Sequence, residues 1–297
     1  MPIIIPKDIP AAETLSQEHI FVMNQARAVK QDIRPIEIAI VNLMPTKVET
    51  EIQLMRLLGN SPLQVNITLI KTATYKPTNI SENHLDKFYK TFEQVRGNKF
   101  DGMIITGAPV ETLSFNEVKY WDELCEIMDY ADKNVTSTLY ICWGAQAALY
   151  HHYGINKLAL SKKLFGIFPT YATVKYEPLL KGLDDIFFIP HSRHTEIDHK
   201  AVGKCEDIEV IAGSKETGAA ILKSGCGKRF YFTGHSEYDR ETLHREYMRD
   251  KNKGLEIDKP VNYYEGDKIN MSWSGTANLL FYNWLNYYVY QTTPFDL

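Results

Sequence analysis

Apolar residues fall in short runs separated by segments of helical period. "IEIAIVNLM", residues 36 to 44, is almost wholly apolar, which predicts a parallel strand buried on both faces. "VNITLI", residues 65 to 70, alternates as a second strand. "FDGMIITGAP", residues 100 to 109, predicts a third strand running into a Gly and Pro turn, and "STLYIC", residues 137 to 142, a fourth. Between them, Thr46 and Glu49 match a capping box, and Val48, Ile52 and Met55 form the stripe of a helix ending near Gly59. The polar stretch from Pro77 to Asn98 holds another helix, and "YWDELCEIMDYAD", residues 120 to 132, a further one. "GAQAALYHHYG" is a helix closed by Gly154, with His151 and His152 at its end, where carbonyls and the helix dipole meet them. This alternation predicts an α/β fold, a mostly parallel central sheet with helices on both faces.

From Lys157 the texture shifts to shorter strands and turns: "LFGIFPTYATVKYE", "IFFIPHSRHTEI", "IEVIAGS" and "AAILKSGCGKRFYFTGHSEYD". Ser224 to Gly227 predicts a hairpin turn. The aromatic "ANLLFYNWLNYYVYQ" is partly helical in period and is expected to pack on the core. No linker, low-complexity tract or repeat interrupts residues 1–297, so one domain is expected.

Composition narrows the function classes. With 44% hydrophobic and 24% charged residues, a net charge of −4 and no basic block, the chain has no electrostatic footprint for nucleic acid or an anionic membrane. The N-terminal apolar run is too short and too broken by prolines for a targeting signal, and no apolar span reaches the ~18 residues of a membrane helix. The cysteines Cys125, Cys142, Cys205 and Cys226 show no CxxC spacing, which argues against a zinc ribbon or a dithiol motif and fits a reducing cytoplasm.

Cys142 ends a strand and opens a helix. In α/β sheets the crevice lies beyond the carboxyl ends of the strands, and a residue on a tight strand-to-helix turn projects into it. Small residues at Gly144 and Ala145 let the turn bend. The helix N-terminus favours a thiolate, and its amides suit an oxyanion. The competing reading is a small buried apolar residue. A thiol that hands on a proton needs a base and an orienting group, and "FYFTGHSEYD" supplies His235 and Glu237 beyond a strand. The cluster His191, His194, Glu196 and His199 invites a metal reading, but its spacing fits no zinc pattern.

"ICWGAQ", "FDGMIITGAP" and the His-x-Glu resemble the class I glutamine amidotransferase superfamily, with Cys142, His235 and Glu237 as its triad. "QDIRPIEIAIVNLMPTKVETEIQLMRLLGNSPLQV", "IPHSRHTE", "EYMRD" and "ANLLFYNWLNYYVYQTTPFDL" extend the resemblance, over nearly the whole chain, to the homoserine O-acyltransferases of methionine biosynthesis. The resemblance implies a class I glutamine amidotransferase-like fold, with extra strands and helices in the C-terminal half. It implies an enzyme whose Cys142 takes an acyl group from acyl-CoA and passes it to the γ-hydroxyl of L-homoserine, with ping-pong kinetics, His235 as base and Glu237 orienting it. The Trp143 amide and an amide of "GAPVE", residues 107 to 111, would be the oxyanion donors, with Lys47 supporting that loop. Lys163, Ser192 and Arg249 match family substrate-binding positions, and arginine's fork suits a carboxylate. The position of Glu111 is associated with the choice of acyl donor. A glutamate there excludes the longer, negatively charged succinyl group, so acetyl-CoA is the expected co-substrate and succinyl-CoA the alternative. No bound cofactor, no metal and a homodimer are implied, the aromatic C-terminal region being either the dimer interface or the core of one chain. A glutaminase and a non-catalytic binding module are the more distant readings.

Overall fold

The computed structural model describes residues 3–18, 20–28, 34–74 and 81–294. The strands of its main sheet are β1 (Ile3–Ile4), β2 (Val22–Met23), β3 (Ile36–Val41), β4 (Val65–Lys71), β5 (Tyr89–Thr91), β6 (Phe100–Ile105), β7 (Val135–Ile141), β8 (Lys157–Ala172), β9 (Phe187–Ile197), β10 (Ile208–Ser214), β11 (Gly218–Ser224) and β12 (Arg229–Phe232). They form a sheet in the order β2-β1-β4-β3-β6-β7-β12-β11-β10-β8-β9, with β5 beside β4. From β2 through β12 every pairing is parallel, and from β12 to β9 every pairing is antiparallel.

Alternation along the strands divides the core into two layers. The register aligns Leu69, Ile40, Ile104, Leu139 and Phe230 across five strands, all in one apolar cluster. Their chain neighbours Ile70, Val41, Ile105, Tyr140 and Tyr231 align in the other. The first layer is covered by Leu54 and Leu58 of helix Lys47–Gly59 and by the C-terminal aromatic segment. The second is covered by Leu124, Ile127 and Met128 of helix Trp121–Asn134 and by Ala147 to Leu149 of helix Trp143–Tyr153. A side chain buried this way is worth about 1.5–3 kcal/mol, so the runs that read as apolar in sequence hold the sheet between its helices.

Several local expectations change. Thr46 makes no capping bond. Glu49 instead reaches across to Thr242 and Arg245 of helix Thr242–Asn252, tying that helix to the front of the sheet. His151 and His152 sit at the end of their helix but face carboxylates rather than carbonyls: His151 pairs with Asp129 at 2.7 Å, and His152 lies 3.6 Å from Asp132. Burial pushes His152 down to about 4, the nearby Arg229 adding to it. β8 and β9 are long rather than short, paired from Lys157↔Ile197 to Thr170↔Phe187 with a register break between Ala159 and Leu164. Polar residues interrupt the period-2 pattern at that break, which hides the length in the sequence. In the polar stretch, residues 77–80 lie outside the described residues, and the remainder forms helices Glu82–Phe88 and Phe92–Val95.

The Ser224–Gly227 turn joins β11 to β12, with the Gly227 amide on the Ser224 carbonyl at 2.8 Å. The C-terminal segment runs as helix Ser274–Asn283 and continues in wider turns to Tyr290, and its Trp284, Leu285 and Val289 are fully buried in the chain's own core. No helix among the described residues is long and apolar enough to cross a membrane.

Candidate active site

Cys142 stands where β7 passes into helix Trp143–Tyr153, at φ 50° and ψ −114°. Few non-glycine residues adopt positive φ, and such strain concentrates where the backbone must aim a side chain. The turn is held from both sides: the Cys142 amide donates to the Phe232 carbonyl at 2.7 Å, and its carbonyl accepts from the Gln146 amide at 3.1 Å. Gly144 permits the geometry, since a Cβ there would lie 2.7 Å from the Thr106 carbonyl oxygen and 2.9 Å from that of Ile105. The helix can therefore start directly against the end of β6. Trp143 is buried among Phe115 and Tyr120 behind its backbone amide, at the helix N-terminus where amides lack intrahelical partners.

His235 follows β12 on the neighbouring parallel strand. Its amide donates to the Pro190 carbonyl at 2.8 Å, and its Nδ1 meets the Glu237 Oε1 at 2.7 Å. Its ring shares the cavity with Cys142 and stacks on Tyr238 with centroids 4.1 Å apart. Burial disfavours the imidazolium, but the Cys142 sulfur and the Glu237 carboxylate outweigh it, so His235 lies well above the ordinary histidine range. Gly107 lies over the pair, its missing Cβ 3.4 Å from the Cys142 Cβ and 3.5 Å from the His235 Cε1. Cysteine, base and orienting acid thus come together from two adjacent strand ends.

Cys142 and His235 open into a cavity of about 350 Å³ that also takes in Glu111, Lys163, Ser192 and Arg249, with Glu237 behind the imidazole. The three substrate-site candidates converge on a residue the sequence reading missed. Glu246 accepts from Lys163 Nζ at 2.7 Å and from Ser192 Oγ at 2.8 Å, with Arg249 Nη2 at 3.6 Å. Arg249 also donates to Asp250 at 2.7 Å. Two cations and a hydroxyl around one carboxylate make a zwitterion-shaped lining. The signal for Glu246 was its i, i+3 spacing to Arg249, which puts both on one helix face.

Glu111 is fixed in the cavity wall. Its Oε2 accepts from the His194 amide at 2.8 Å, the Thr195 amide at 3.3 Å and the Thr195 hydroxyl at 3.2 Å, while Lys157 bonds its carbonyl at 2.8 Å. Lys47 is buried and donates to the carbonyls of Asn42 and Met44 rather than to residues 107–111. Burial, partly offset by Glu51, pushes its ammonium down to about 8. Its link to the loop is indirect: the Leu43 amide donates to Thr106 Oγ1 at 2.8 Å, and that hydroxyl bonds the Gly107 carbonyl at 3.1 Å.

The histidine-rich strand β9 resolves by alternation. His191, Arg193 and Thr195 point inward, and Ser192 and His194 line the cavity. No metal-ligating group of three or more His, Cys, Asp or Glu side chains occurs among the described residues. Arg193 was also missed. Only 2% exposed, it donates to the carbonyls of Thr195 at 2.8 Å and Thr217 at 2.7 Å and makes no carboxylate ion pair among the described residues. Burial lowers its pKa, and Cys142, Glu196 and Glu111 oppose the shift, so a fixed positive charge stands behind the thiol. An arginine at an inward strand position was the available signal.

A sequence model described as homoserine O-succinyltransferase matches residues 2–295. The chain belongs to that family. Proteins named homoserine O-acetyltransferase are close relatives: one of Clostridium acetobutylicum is 56% identical over all of both chains, and one of Acetivibrio thermocellus is 55% identical, covering all of this chain and 99% of its own. The homoserine O-succinyltransferase family therefore holds, near this chain, members whose names carry the acetyl group. Among solved structures, a glutamine amidotransferase of Thermotoga maritima superposes with a TM-score of 0.54 at 10% identity, covering 76% of this chain and 87% of that one. A second, of Methylobacillus flagellatus, gives 0.54 at 12%, covering 86% and 95%. At those identities the likeness is of fold, which is class I glutamine amidotransferase-like.

Proposed function

We propose that the chain is a homoserine O-acetyltransferase of methionine biosynthesis, acting as one domain over its whole length and using acetyl-CoA and L-homoserine. The observation that carries the reading is the strained Cys142 with His235 in one cavity with Lys163, Ser192, Glu246 and Arg249, the imidazole being held from behind by Glu237. The full-length relatives named for acetyl transfer support it.

In this reading the Cys142 thiolate attacks the thioester carbonyl. The bond to the CoA sulfur breaks, and that sulfur takes the proton from the His235 imidazolium. The acetyl group then rests on Cys142, a thioester-to-thioester exchange of little thermodynamic consequence. Homoserine gives its γ-hydroxyl proton to His235 as the oxygen attacks, and the Cys142 sulfur leaves as thiolate beside the restored imidazolium. The Trp143 amide and an amide of residues 107–111 are assigned to the oxyanion, each such donor worth about 3–4 kcal/mol in the transition state. Arg249 and Lys163 would take the homoserine carboxylate and Glu246 its ammonium, the amino acid replacing contacts these residues now make with one another.

Acetyl rather than succinyl is assigned from Glu111. Its carboxylate is anchored to β9 in the cavity wall, where it shortens the acyl space and repels succinate's own carboxylate. A cytoplasmic setting and a homodimer complete the proposal, the first supported by four free thiols.

Intact-mass spectrometry after mixing with acetyl-CoA or succinyl-CoA, without homoserine, tests the function. An acetyl adduct that requires Cys142, is absent in Cys142→Ala and is discharged by homoserine is the expected result. A succinyl adduct alone overturns the donor assignment, and no adduct from either donor overturns the mechanism.

A further inference from the structure

A second cavity, of about 190 Å³, lies beside the catalytic one, and the two share Met44, Pro45 and Pro109 as a common lip. Its position follows from topology. β3 has β4 on one side and β6 on the other, so the chain reverses direction across the sheet at β3. Crevices beyond the carboxyl ends of strands at such a reversal are where open α/β sheets take ligands. The cavity is built there, from residues directly after β3, β4 and β6. Cys142 follows β7, the next strand along, so the two cavities run side by side on one edge.

Its chemistry is two-part. Leu43, Val110, Leu113 and Val118 give an apolar wall, and Leu113 is 42% exposed, an apolar side chain left in water at the mouth. Lys71 and Lys119 supply positive charge at the rim. Lys71 pairs with Asp86 at 2.9 Å, and Lys119 is exposed with no carboxylate partner among the described residues. The third lysine, Lys47, is committed to backbone carbonyls in the wall. Among the described lining residues the one carboxylate, Glu117, is turned onto the Ser114 amide at 2.9 Å and hydroxyl at 2.7 Å.

We infer that this second cavity holds the pantetheine arm of the acyl-CoA donor, with the nucleotide phosphates on Lys119 and Lys71 and the thioester carried over the shared lip to Cys142. A slender chain of methylenes and amides ending in phosphates matches an apolar slot with a basic rim. The inference deepens the acetyl-CoA reading and rests on it.

Two measurements on the full chain separate the site from that reading. Calorimetric titration with CoA is expected to show binding that Lys119→Glu weakens by about tenfold and Lys119→Arg restores. Absence of CoA binding to the wild type, or equal affinity in Lys119→Glu, overturns the site. Kinetically, the preference for acetyl-CoA over S-acetyl-N-acetylcysteamine, which lacks the nucleotide, is expected to fall by about tenfold in Lys119→Glu, read as the ratio of kcat/KM values. An unchanged ratio overturns the assignment of the phosphates. If CoA binds in a Lys119-dependent way while no acetyl adduct forms on Cys142, the site stands and the transferase reading falls.

Discussion

At the scale of single residues, the protonation of His235 decides the chemistry. Its proton is held by a sulfur and a carboxylate that outweigh the penalty of burial. A base whose native pKa is raised stabilises the fold fully below its unfolded value of about 6.5, and that stability is lost as pH rises through the native value. Glu237→Gln keeps the shape and removes the charge. The His235 titration, followed by NMR of ring-labelled histidine, is expected to move to lower pH, and with it the part of the stability that His235 holds between about 6.5 and its native value should shrink. Acetyl transfer should fall by about 10²–10⁴-fold, because the imidazole loses its orienting partner as well as its charge. A titration that stays in place would mean that the sulfur sets the proton affinity without the carboxylate.

At the scale of elements, the site is a meeting of loops pinned to one another by buried polar contacts. Glu111 fastens the loop after β6 onto β9, and Thr195 continues the contact to Gln146 of the helix that Cys142 opens, at 3.0 Å. Glu111→Gly is therefore expected to do two things at once. Succinyl-CoA should begin to label Cys142, raising the succinyl-to-acetyl ratio of kcat/KM by about tenfold or more as space opens and like charge is removed. The fold should lose about 1–3 kcal/mol, because the His194 and Thr195 amides are left without their acceptor. Stability loss with no change in the donor ratio would make Glu111 a clamp alone. The elements around this loop were legible where one face of a strand or helix stays apolar: the four parallel strands and the Cys142 turn follow from their runs and small residues. Glu49 shows where legibility ends. Its spacing from Thr46 satisfies the capping box, yet its carboxylate goes to Thr242 and Arg245, nearly two hundred residues away in sequence. Local spacing carries no information about a partner brought in by the fold, and the same holds for Glu246, whose neighbours Lys163 and Ser192 lie on β8 and β9.

At the scale of the whole molecule, the sheet needs both faces covered, and the first layer is completed only by the end of the chain. Trp284 is fully buried against β6 and β7. Its Nε1 donates to Ser137 Oγ at 2.9 Å, and its ring lies 3.0 Å from where a Cβ would stand on Gly102. Gly102 thus makes room in the sheet for a side chain that arrives nearly two hundred residues later. The inner face of the C-terminal aromatic run is for this reason core of the chain, while Tyr290 at its end is exposed. Trp284→Ala should leave a large cavity and a lone hydroxyl at Ser137, with a loss of about 3–5 kcal/mol seen as a lower urea midpoint at unchanged slope. Because the contact lies within one chain, that loss should be the same at low and high protein concentration. A residue at a subunit interface would behave differently: its substitution shifts the midpoint by an amount that depends on protein concentration, since dissociation and unfolding are then linked. A concentration-dependent loss in Trp284→Ala would move the segment from the core of one chain to the boundary between two.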